Sequence, residues 1–290
     1  MFKFLKFNNY TLDNLKKGQL WGNYYDFFND PFECWCIEKT GIPDPDKEKE
    51  RYDNIVATWG YDPGPYNREE YFEYCSEFDN PYSMKVSYYI ESARISCFCK
   101  RPDNLLMWSH YADGLRGFCL EFDRSELLKP GSIDADVFDV MYTEKPPLVD
   151  TMLYEVAKDQ FWYHEMAIGE ENSKIQHIPD YAPDKLLPEY HAALKDARQL
   201  LFDLYFKILC YKPKEWQYEE EVRLIYHTDK KDKSGHPFKY PKSAIKSIII
   251  GEKMQKSDFN KLIKILNKNE IEAPIKTAIR VKDSYKLMIE

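Results

Sequence analysis

The predicted fold depends first on residues 218–225, which read Tyr218-Glu219-Glu220-Glu221-Val222-Arg223-Leu224-Ile225. Side chains on an extended strand point alternately to opposite faces of the sheet. Glu219, Glu221 and Arg223 would therefore share one face, and Val222 and Leu224 would share the other. This alternation predicts a strand over 219–227 with one charged face and one apolar face.

The charged face of this strand is the first candidate site. Two carboxylates one residue apart cannot both be buried without shifting each other's pKa values, and the adjacent Arg223 would keep Glu219 and Glu221 ionised. Such a group suits the stabilisation of a developing cation or the removal of a proton from a hydroxyl. An exposed strand face with cross-strand lysine partners gives the same spacing, because 31% of the residues are charged. Spacing alone leaves both interpretations open.

Strand patterns occur at both ends of the chain, with helical patterns between them. The patterns predict strands over 2–7, 20–21, 94–99, 115–122, 137–142, 219–227, 245–250 and 275–281. They predict helices over about 67–78, 82–92, 103–114 and 257–268, and a short first helix with Thr11 as its N-cap. This order indicates an α+β fold with a mixed, mostly antiparallel sheet. We expect a single domain, 1–290, with 149–210 as a helical insertion within it.

The composition indicates a folded protein without a membrane segment. Hydrophobic residues make up 43% of the chain and aromatic residues 16%, which is too apolar for a disordered protein. No apolar run reaches the ~20 residues that a membrane helix needs. The first seven residues alternate apolar and basic side chains, unlike a signal peptide. We therefore expect a cytoplasmic protein that does not bind a membrane.

The seven cysteines form an odd set, which fits reduced thiols better than a disulfide framework. Two Cys-x-Cys pairs occur, Cys34/Cys36 and Cys97/Cys99. Zinc sites usually have two or more residues between neighbouring cysteine ligands. The pairs are therefore interpreted as small buried hydrophobic residues, and no metal site is predicted from them.

The formal net charge of -8 is unevenly distributed along the chain. Residues 229–290 carry 15 Lys and Arg against 8 Asp and Glu, a net charge of +7, so residues 1–228 carry -15. The whole chain is therefore not a general nucleic-acid binder. The basic C-terminal third is either a solvated helix surface or a surface that faces an anionic partner such as a nucleic acid.

A second candidate site lies on the helix predicted over 103–114. Trp108 and Tyr111 are three residues apart and share a helix face. His110 lies among aromatic residues and is the histidine best placed for acid–base chemistry. A neutral, hydrogen-bonded structural histidine is the alternative.

A third candidate is the segment Phe28-Asn29-Asp30-Pro31-Phe32-Glu33. Asn and Asp before Pro favour a tight, non-helical turn. Asn29, Asp30 and Glu33 either wall a pocket there or hydrogen-bond the local backbone and shape the turn.

Several segments, in this order, resemble the bacterial domain-of-unknown-function family 2971. They are Phe4-Leu5-Lys6-Phe7, Phe28-Asn29-Asp30-Pro31-Phe32-Glu33, Ile95-Ser96-Cys97-Phe98-Cys99, Leu106-Met107-Trp108-Ser109-His110-Tyr111-Ala112-Asp113-Gly114, Gly117-Phe118-Cys119-Leu120-Glu121-Phe122, Lys214-Glu215-Trp216-Gln217-Tyr218-Glu219-Glu220-Glu221-Val222-Arg223 and 245–251. The sixth segment resembles a Lys-x-x-x-Trp-x-Tyr-Glu-x-Glu-x-Arg element of the family. The resemblance covers about residues 2–252, and the family name implies no activity.

The layout is also similar to ADP-ribosyltransferase-like domains, including toxin-type enzymes that modify DNA or RNA. In that chemistry a Glu on a late strand holds a ribose hydroxyl of NAD and stabilises the oxocarbenium-like cation as nicotinamide leaves. The resemblance assigns this role to Glu221, and it assigns to Glu219 the orientation or deprotonation of the acceptor. With Arg223 and His110, these are the predicted catalytic residues.

The same resemblance implies a set of NAD-binding residues. The first strand offers Lys6 where such enzymes have Arg or His, and the middle position is either Ser96 or Tyr111. The predicted NAD-binding set is Lys6, Asn29, Asp30, Ser96, Trp108 and Tyr111.

The sequence therefore favours an NAD-consuming, ADP-ribosyltransferase-like glycosyltransferase, a bacterial toxin or phage-defence effector that modifies nucleic acid or protein. One alternative is a metal-dependent nuclease or phosphodiesterase, whose Mg²⁺ would be held by Asp30, Glu33, Glu219 and Glu221. Another is a non-enzymatic ligand-sensing or interaction module. Walker, dinucleotide-fingerprint, zincin and nucleophile-elbow motifs are absent from the sequence, which argues against those common enzyme classes.

Overall fold

The computed structural model describes residues 1–61, 68–78, 86–129, 135–230 and 232–290. The strands are β1 (Phe2–Leu5), β2 (Gln19–Gly22), β3 (Ile37–Lys39), β4 (Ala93–Cys99), β5 (Phe118–Phe122), β6 (Ala135–Asp139), β7 (Met141–Thr143), β8 (Leu148–Asp150), β9 (Tyr211–Pro213), β10 (Glu221–His227), β11 (His236–Lys239), β12 (Ile245–Gly251), β13 (Ile275–Arg280) and β14 (Leu287–Ile289). The helices are α1 (Asn9–Lys16), α2 (Lys49–Trp59), α3 (Arg68–Ser76), α4 (Val86–Ile90), α5 (Leu105–Tyr111), α6 (Arg124–Leu127), α7 (Thr151–His177), α8 (Leu187–Leu209) and α9 (Lys256–Lys268).

These elements fall into two compact units. The first contains Met1–Cys34, Glu91–Lys145 and Cys210–Glu290, and the second contains Trp35–Ile90 and Pro146–Leu209. Every predicted catalytic or NAD-binding residue lies in the first unit.

An eight-stranded sheet is the centre of the first unit, with the strand order β14-β13-β12-β5-β1-β4-β10-β6. β12 and β13 run parallel, while the other neighbouring pairs are antiparallel. The predicted α+β class with a mixed, mostly antiparallel sheet is therefore confirmed. β10 lies between β4 and β6, so its backbone is hydrogen-bonded along both edges.

The apolar face of β10 lies in the larger core of the first unit. Val222, Leu224 and Tyr226 are buried there in one cluster with Leu12 of α1 and Leu262 of α9. Full burial of one such aliphatic side chain contributes roughly 1.5–3 kcal/mol to stability. The alternation in the sequence thus identifies the face of β10 that packs against helices. The alternate residues of β10, including Glu221 and Arg223, point to the other face of the sheet.

β1 and β4 diverge in the middle of this sheet. They pair through Phe2 and Cys99, whereas farther along β4 the backbone of Ile95 exchanges two hydrogen bonds of 2.9 Å with Asn23. β1 meanwhile stays paired with β5 from Phe2 to Leu5. The divergence leaves a gap between two neighbouring strands, and this gap positions the candidate site.

Several predicted boundaries are wrong. The strand expected over 115–122 begins at Phe118, and the strand expected over 137–142 is divided between β6 and β7. Two further errors have local reasons. The strand expected from Glu219 begins at Glu221, because Lys214–Glu219 forms a 3-10 turn instead. The first helix is capped by Asn8 rather than by Thr11. Asn8 and Thr11 form a capping box, in which each side chain accepts from the backbone N–H of the other.

The second unit contains α7 and α8, which lie within the residues 149–210 predicted as a helical insertion. Residues 35–90 complete the unit, and its core includes Tyr52 of α2, Tyr71 of α3 and Val156 of α7. The second unit is thus assembled from two separate stretches of chain. Among the helices described, none is both long enough and apolar enough to cross a membrane.

Candidate functional site

A cavity of about 680 Å³ opens where β1 and β4 diverge. This volume lies within the range of roughly 300–1,000 Å³ that is typical of small-molecule sites. Charged side chains on its wall include Lys3, Lys212, Glu219 and Glu221. Its aromatic lining residues are Phe2, Phe4, Trp21, Phe27, Phe28, Phe98, His110, Tyr111, Trp216 and Tyr218. Because the wall of the cavity carries both aromatic rings and charged groups, it suits a ligand that has both planar and polar groups.

Lys212 bridges the two predicted carboxylates. Its Nζ lies 2.8 Å from Glu219 Oε2 and 3.0 Å from Glu221 Oε2. Lys212, Glu219 and Glu221 are 4%, 4% and 2% exposed, so the contacts are screened little by water. The same ammonium lies 4.9 Å from the ring centroid of Trp216, a cation–π contact. One buried cation therefore pairs with both carboxylates.

Arg223 extends the charged cluster on the far side of Glu221. Its Nε lies 2.9 Å from Glu221 Oε1, and its Nη1 lies 2.6 Å from Glu33 Oε1. The expectation that Arg223 pairs with both Glu219 and Glu221 is therefore corrected. Glu219 precedes β10 and does not share the strand face of Arg223, so the cation shared by the two carboxylates is Lys212.

The surrounding cations hold Glu221 in its ionised form. Burial raises the pKa of Glu221, but Arg223 and Lys212 outweigh burial and lower that pKa to about 2. Burial lowers the pKa of Lys212, but the carboxylates of Glu221 and Glu219 outweigh burial and raise it above its usual value. Burial raises the pKa of Glu33, with Arg223 acting against this change. At neutral pH, Glu221 is thus a fixed anion and Lys212 a fixed cation.

A sharp bend in the backbone at Glu220 separates Glu219 from Glu221. Glu220 has a φ of 44°, in the left-handed region, at the end of the 3-10 turn. This conformation costs a residue other than glycine roughly 1–2 kcal/mol. The Glu220 carboxylate pairs with Arg101 at 3.0 Å, in a more exposed position. The bend lets both neighbouring carboxylates reach one ammonium.

A short two-stranded ribbon places Lys212 beside the start of β10. Lys212 lies on β9, where it is paired with Tyr142 of β7. The Tyr142 hydroxyl accepts a hydrogen bond of 2.7 Å from the backbone N–H of Glu221. One ribbon therefore supplies both the bridging cation and a fixed acceptor for the first residue of β10.

Tyr111 connects the charged cluster to α5 and to the turn over 28–33. Its hydroxyl donates to Glu219 Oε1 at 2.6 Å, and it is hydrogen-bonded to the Asn29 side chain. His110 is exposed, with its ring beside those of Tyr111 and Tyr218. The structure thus brings the predicted residues of α5, of the turn over 28–33 and of the start of β10 onto one cavity wall.

The first strand and the residue that follows it supply two lysines to the cavity. Lys6, the predicted residue, follows the end of β1 and is exposed. Lys3 lies within β1, and its Nζ donates to Ser96 Oγ at 3.0 Å and to the Cys97 carbonyl at 2.8 Å. Burial lowers the pKa of Lys3, with Cys97 and Glu221 acting against this change. Lys3 spans the gap between β1 and β4, and the predicted residue Ser96 is its partner rather than part of the wall.

Two other predicted NAD-binding residues do not line this cavity. Trp108 is fully buried, packs edge to face on Phe4 at 5.3 Å, and donates from Nε1 to the Pro102 carbonyl. It faces the sheet from α5, so its ring is part of the core. Asp30 is buried and accepts from the backbone N–H of Phe32 at 2.9 Å, which shapes the turn.

Sequence reasoning did not identify Lys3 or Lys212. Lys212 lies four residues before Trp216, so the Lys-x-x-x-Trp spacing of the family element points to Lys212. Lys3 has no such signal, since strand alternation does not reveal where two paired strands diverge.

In the part of the chain that the structure describes, no group of three or more His, Cys, Asp and Glu side chains is placed to hold a metal ion. The seven cysteines are free thiols. Positive charge around Glu33 and Glu221 comes from Arg223 and Lys212 instead. The arrangement gives no support to a magnesium site built from the predicted carboxylates.

Fold and site together define an α+β protein with a buried charged cluster in the wall of an aromatic cavity. The model of a family described as protein of unknown function (DUF2971) matches residues 107–224. The match supports the family resemblance from α5 to the first half of β10, a range that contains Tyr111, Lys212, Glu219 and Glu221. No curated protein and no solved structure matches the chain. The resemblance to ADP-ribosyltransferase-like domains has no support from these comparisons.

Proposed function

We propose that this protein is an NAD-consuming, ADP-ribosyltransferase-like glycosyltransferase whose active site is the cavity between β1 and β4. The observation that carries the proposal is the Glu221 carboxylate in the wall of that cavity, paired with Lys212 at 3.0 Å and with Arg223 at 2.9 Å. An anion that is fixed in place before the reaction stabilises a cation that develops during it. Lys212 and Arg223 hold the Glu221 carboxylate in position, and neither donates its proton to the carboxylate.

In the proposed reaction, the bond between C1′ of the ribose and the nicotinamide nitrogen breaks, and its electron pair leaves with nicotinamide. Glu221 accepts a hydrogen bond from a ribose hydroxyl and stabilises the oxocarbenium-like cation. A nucleophile of the acceptor then forms the new bond to C1′, and its proton passes to Glu219. Tyr111 orients Glu219 through the hydrogen bond of 2.6 Å. His110, exposed on the cavity wall, can exchange that proton with water.

The lining of the cavity supports a dinucleotide as substrate. Aromatic side chains provide surfaces on which planar rings stack. Lys3 and Lys6 place two ammonium groups on the wall, and ammonium groups bind phosphate as point charges. Asn29, also on the wall, offers an amide for the ribose or the carboxamide of nicotinamide.

The proposal extends to the acceptor and the setting. The net charge of +7 over residues 229–290 favours a nucleic acid as acceptor, because basic residues attract the phosphate backbone. An enzyme that consumes NAD and modifies a nucleic acid in the cytoplasm would act as a toxin or as a phage-defence effector.

The test is release of nicotinamide from NAD, measured by chromatography with the purified protein. We expect Glu221→Gln to lower the rate at least about 100-fold, since it removes the fixed anion. Glu220→Gln is the matched control, because it makes the same chemical change at the neighbouring residue, whose carboxylate pairs with Arg101. That control is expected to keep the wild-type rate.

Thermal unfolding of each variant establishes that it is folded. His110→Ala provides a second variant, since its side chain is exposed and its loss is expected to slow turnover without unfolding the protein. Nicotinamide release that is absent from the wild type, or unchanged in folded Glu221→Gln, would refute the proposal. Binding of NAD without turnover would instead indicate a ligand-sensing module.

A further inference from the structure

A second cavity of about 250 Å³ adjoins the first one within the same unit. Lys3, Trp21 and Asn23 are among the residues that line both cavities. The second volume is smaller than the roughly 300 Å³ at the lower limit of sites that hold a whole small molecule. It therefore suits one end of a ligand whose remainder lies in the first cavity.

Two aromatic rings form a corner in the second cavity. The ring centroids of Tyr10 and Trp21 lie 6.1 Å apart with an interplanar angle of 77°. A planar ligand can stack on one ring while its face meets the edge of the other, the geometry that aromatic groups prefer. Leu20 and Tyr240 add buried apolar surface. This wall favours a flat heterocycle.

Two amides supply polar groups beside that corner. Gln19 Nε2 donates to Asn14 Oδ1 at 2.8 Å, and the Asn14 side chain is hydrogen-bonded to the Tyr10 hydroxyl. This bond anchors the Gln19 amide through one of its two N–H donors, and the amide oxygen is an acceptor for a ligand. An amide oxygen accepts from an exocyclic amino group, as in adenine, and repels a carbonyl at the same position, as in hypoxanthine.

Lys3 lies at the junction of the two cavities. Its ammonium has three donors, and the bonds to Ser96 and to the Cys97 carbonyl use two of them. A cation between a base-sized cavity and a larger one is placed where a phosphate link would pass.

We propose that the second cavity binds the adenine end of the dinucleotide, with Gln19 selecting an amino-purine and Lys3 facing the phosphates. The choice of a dinucleotide rests on the proposed NAD-consuming function. The base site itself rests on Tyr10, Gln19 and Trp21, which the proposed chemistry does not use.

The experiment titrates AMP, IMP and nicotinamide mononucleotide into the full chain by calorimetry. Tyr10→Ala is expected to weaken AMP binding at least about fivefold, through loss of a stacking surface. Gln19→Leu is expected to reduce the preference for AMP over IMP about tenfold, through loss of one hydrogen bond. Neither variant should change the affinity for nicotinamide mononucleotide.

Tyr285→Ala is the control, because Tyr285 is 96% exposed and lines neither cavity. Tyr10 is itself 54% exposed, so Tyr10→Ala is expected to fold even if Gln19→Leu does not. The base-site inference is overturned if AMP does not bind at millimolar concentration, or if Tyr10→Ala and Tyr285→Ala bind AMP equally.

The two proposals fail separately. If AMP binding depends on Tyr10 and Gln19 but no nicotinamide is released from NAD, the adenine site is supported and the proposed enzymatic function is refuted. If nicotinamide is released but Tyr10→Ala does not affect AMP binding, the enzymatic function is supported and the adenine site is refuted.

Discussion

Arg223 Nη1 lies 2.6 Å from Glu33 Oε1, and both side chains are almost completely buried. The contact fastens the turn over 28–33 to the centre of β10, although the two are distant in sequence. The same guanidinium holds Glu221 at 2.9 Å. One cation therefore fixes the carboxylate of the proposed reaction relative to the turn that carries Asn29.

Replacing Arg223 by methionine is expected to destabilise the protein strongly. Arg223→Met keeps much of the apolar volume but leaves Glu33 and Glu221 buried beside each other without their shared cation. Breaking a buried ion pair in this way costs about 3–5 kcal/mol. The free energy of unfolding, measured by urea denaturation, checks the value. Arg101→Met, which removes a half-exposed pairing with Glu220, should cost less than about 1 kcal/mol, and equal costs for both variants would contradict the prediction.

Stability is expected to fall in acid partly because of Glu221. Its pKa in the folded protein is about 2, below its ordinary value of 4.5. The stabilising contribution is therefore fully present above pH 4.5 and is lost as the pH falls from about 4.5 to about 2. Its size is on the order of 3 kcal/mol. Urea denaturation over this pH range should show a shallower decline for Glu221→Gln than for the wild type, and parallel declines would show that Glu221 does not contribute.

Removal of Lys212 is expected to be partly compensated by removal of Glu219. Lys212→Met leaves two buried carboxylates with less positive charge and should lower the free energy of unfolding by about 3–5 kcal/mol. Adding Glu219→Gln removes one of those charges, so the double variant should be more stable than the sum of the single effects indicates. A double-mutant cycle measures the coupling, expected between about 0.5 and 3 kcal/mol. Additive effects would mean that Lys212 and Glu219 do not interact in solution.

Gly117→Ala is expected to disturb the sheet near β1. A Cβ at Gly117 would collide with the backbone carbonyl of Leu5, which cannot move away as a flexible side chain could. We expect a loss of more than about 2 kcal/mol, typical of overpacked sites. Gly169→Ala, on α7, meets nothing within 4 Å and should raise stability by up to about 1 kcal/mol. Thermal unfolding compares the two variants, and equal midpoints would contradict the expectation.

Strand alternation allowed much of the sheet to be predicted. The pattern of Val222, Leu224 and Tyr226 identifies the buried face of β10, because burial on one face requires a period of two. The cap of α1 was misplaced, because Asn8 and Thr11 are both good capping residues and only the backbone geometry distinguishes them.

The candidate site was only partly predictable. Glu219, Glu221, Tyr111 and Asn29 are signalled by residue type and spacing, but spacing on an ideal strand does not foresee the bend at Glu220. Trp108 was assigned to ligand binding because it shares a predicted helix face with Tyr111. In the structure its ring is buried in the core instead. The position of a residue around the helix axis decides whether its side chain faces the core, and Trp108 lies on the side of α5 that packs against the sheet.

The sequence by itself determined the α+β class, the order of most strands and helices, and the acidic residues around which a site could form. Those properties depend on local periodicity and on residue chemistry, both of which can be determined from residues that are close together in the sequence. Only the tertiary structure decided that Lys212 joins Glu219 to Glu221, that Arg223 joins Glu221 to Glu33, and that β1 and β4 separate to form a cavity. These contacts join residues from distant parts of the chain, and their distances are set by how the whole sheet packs.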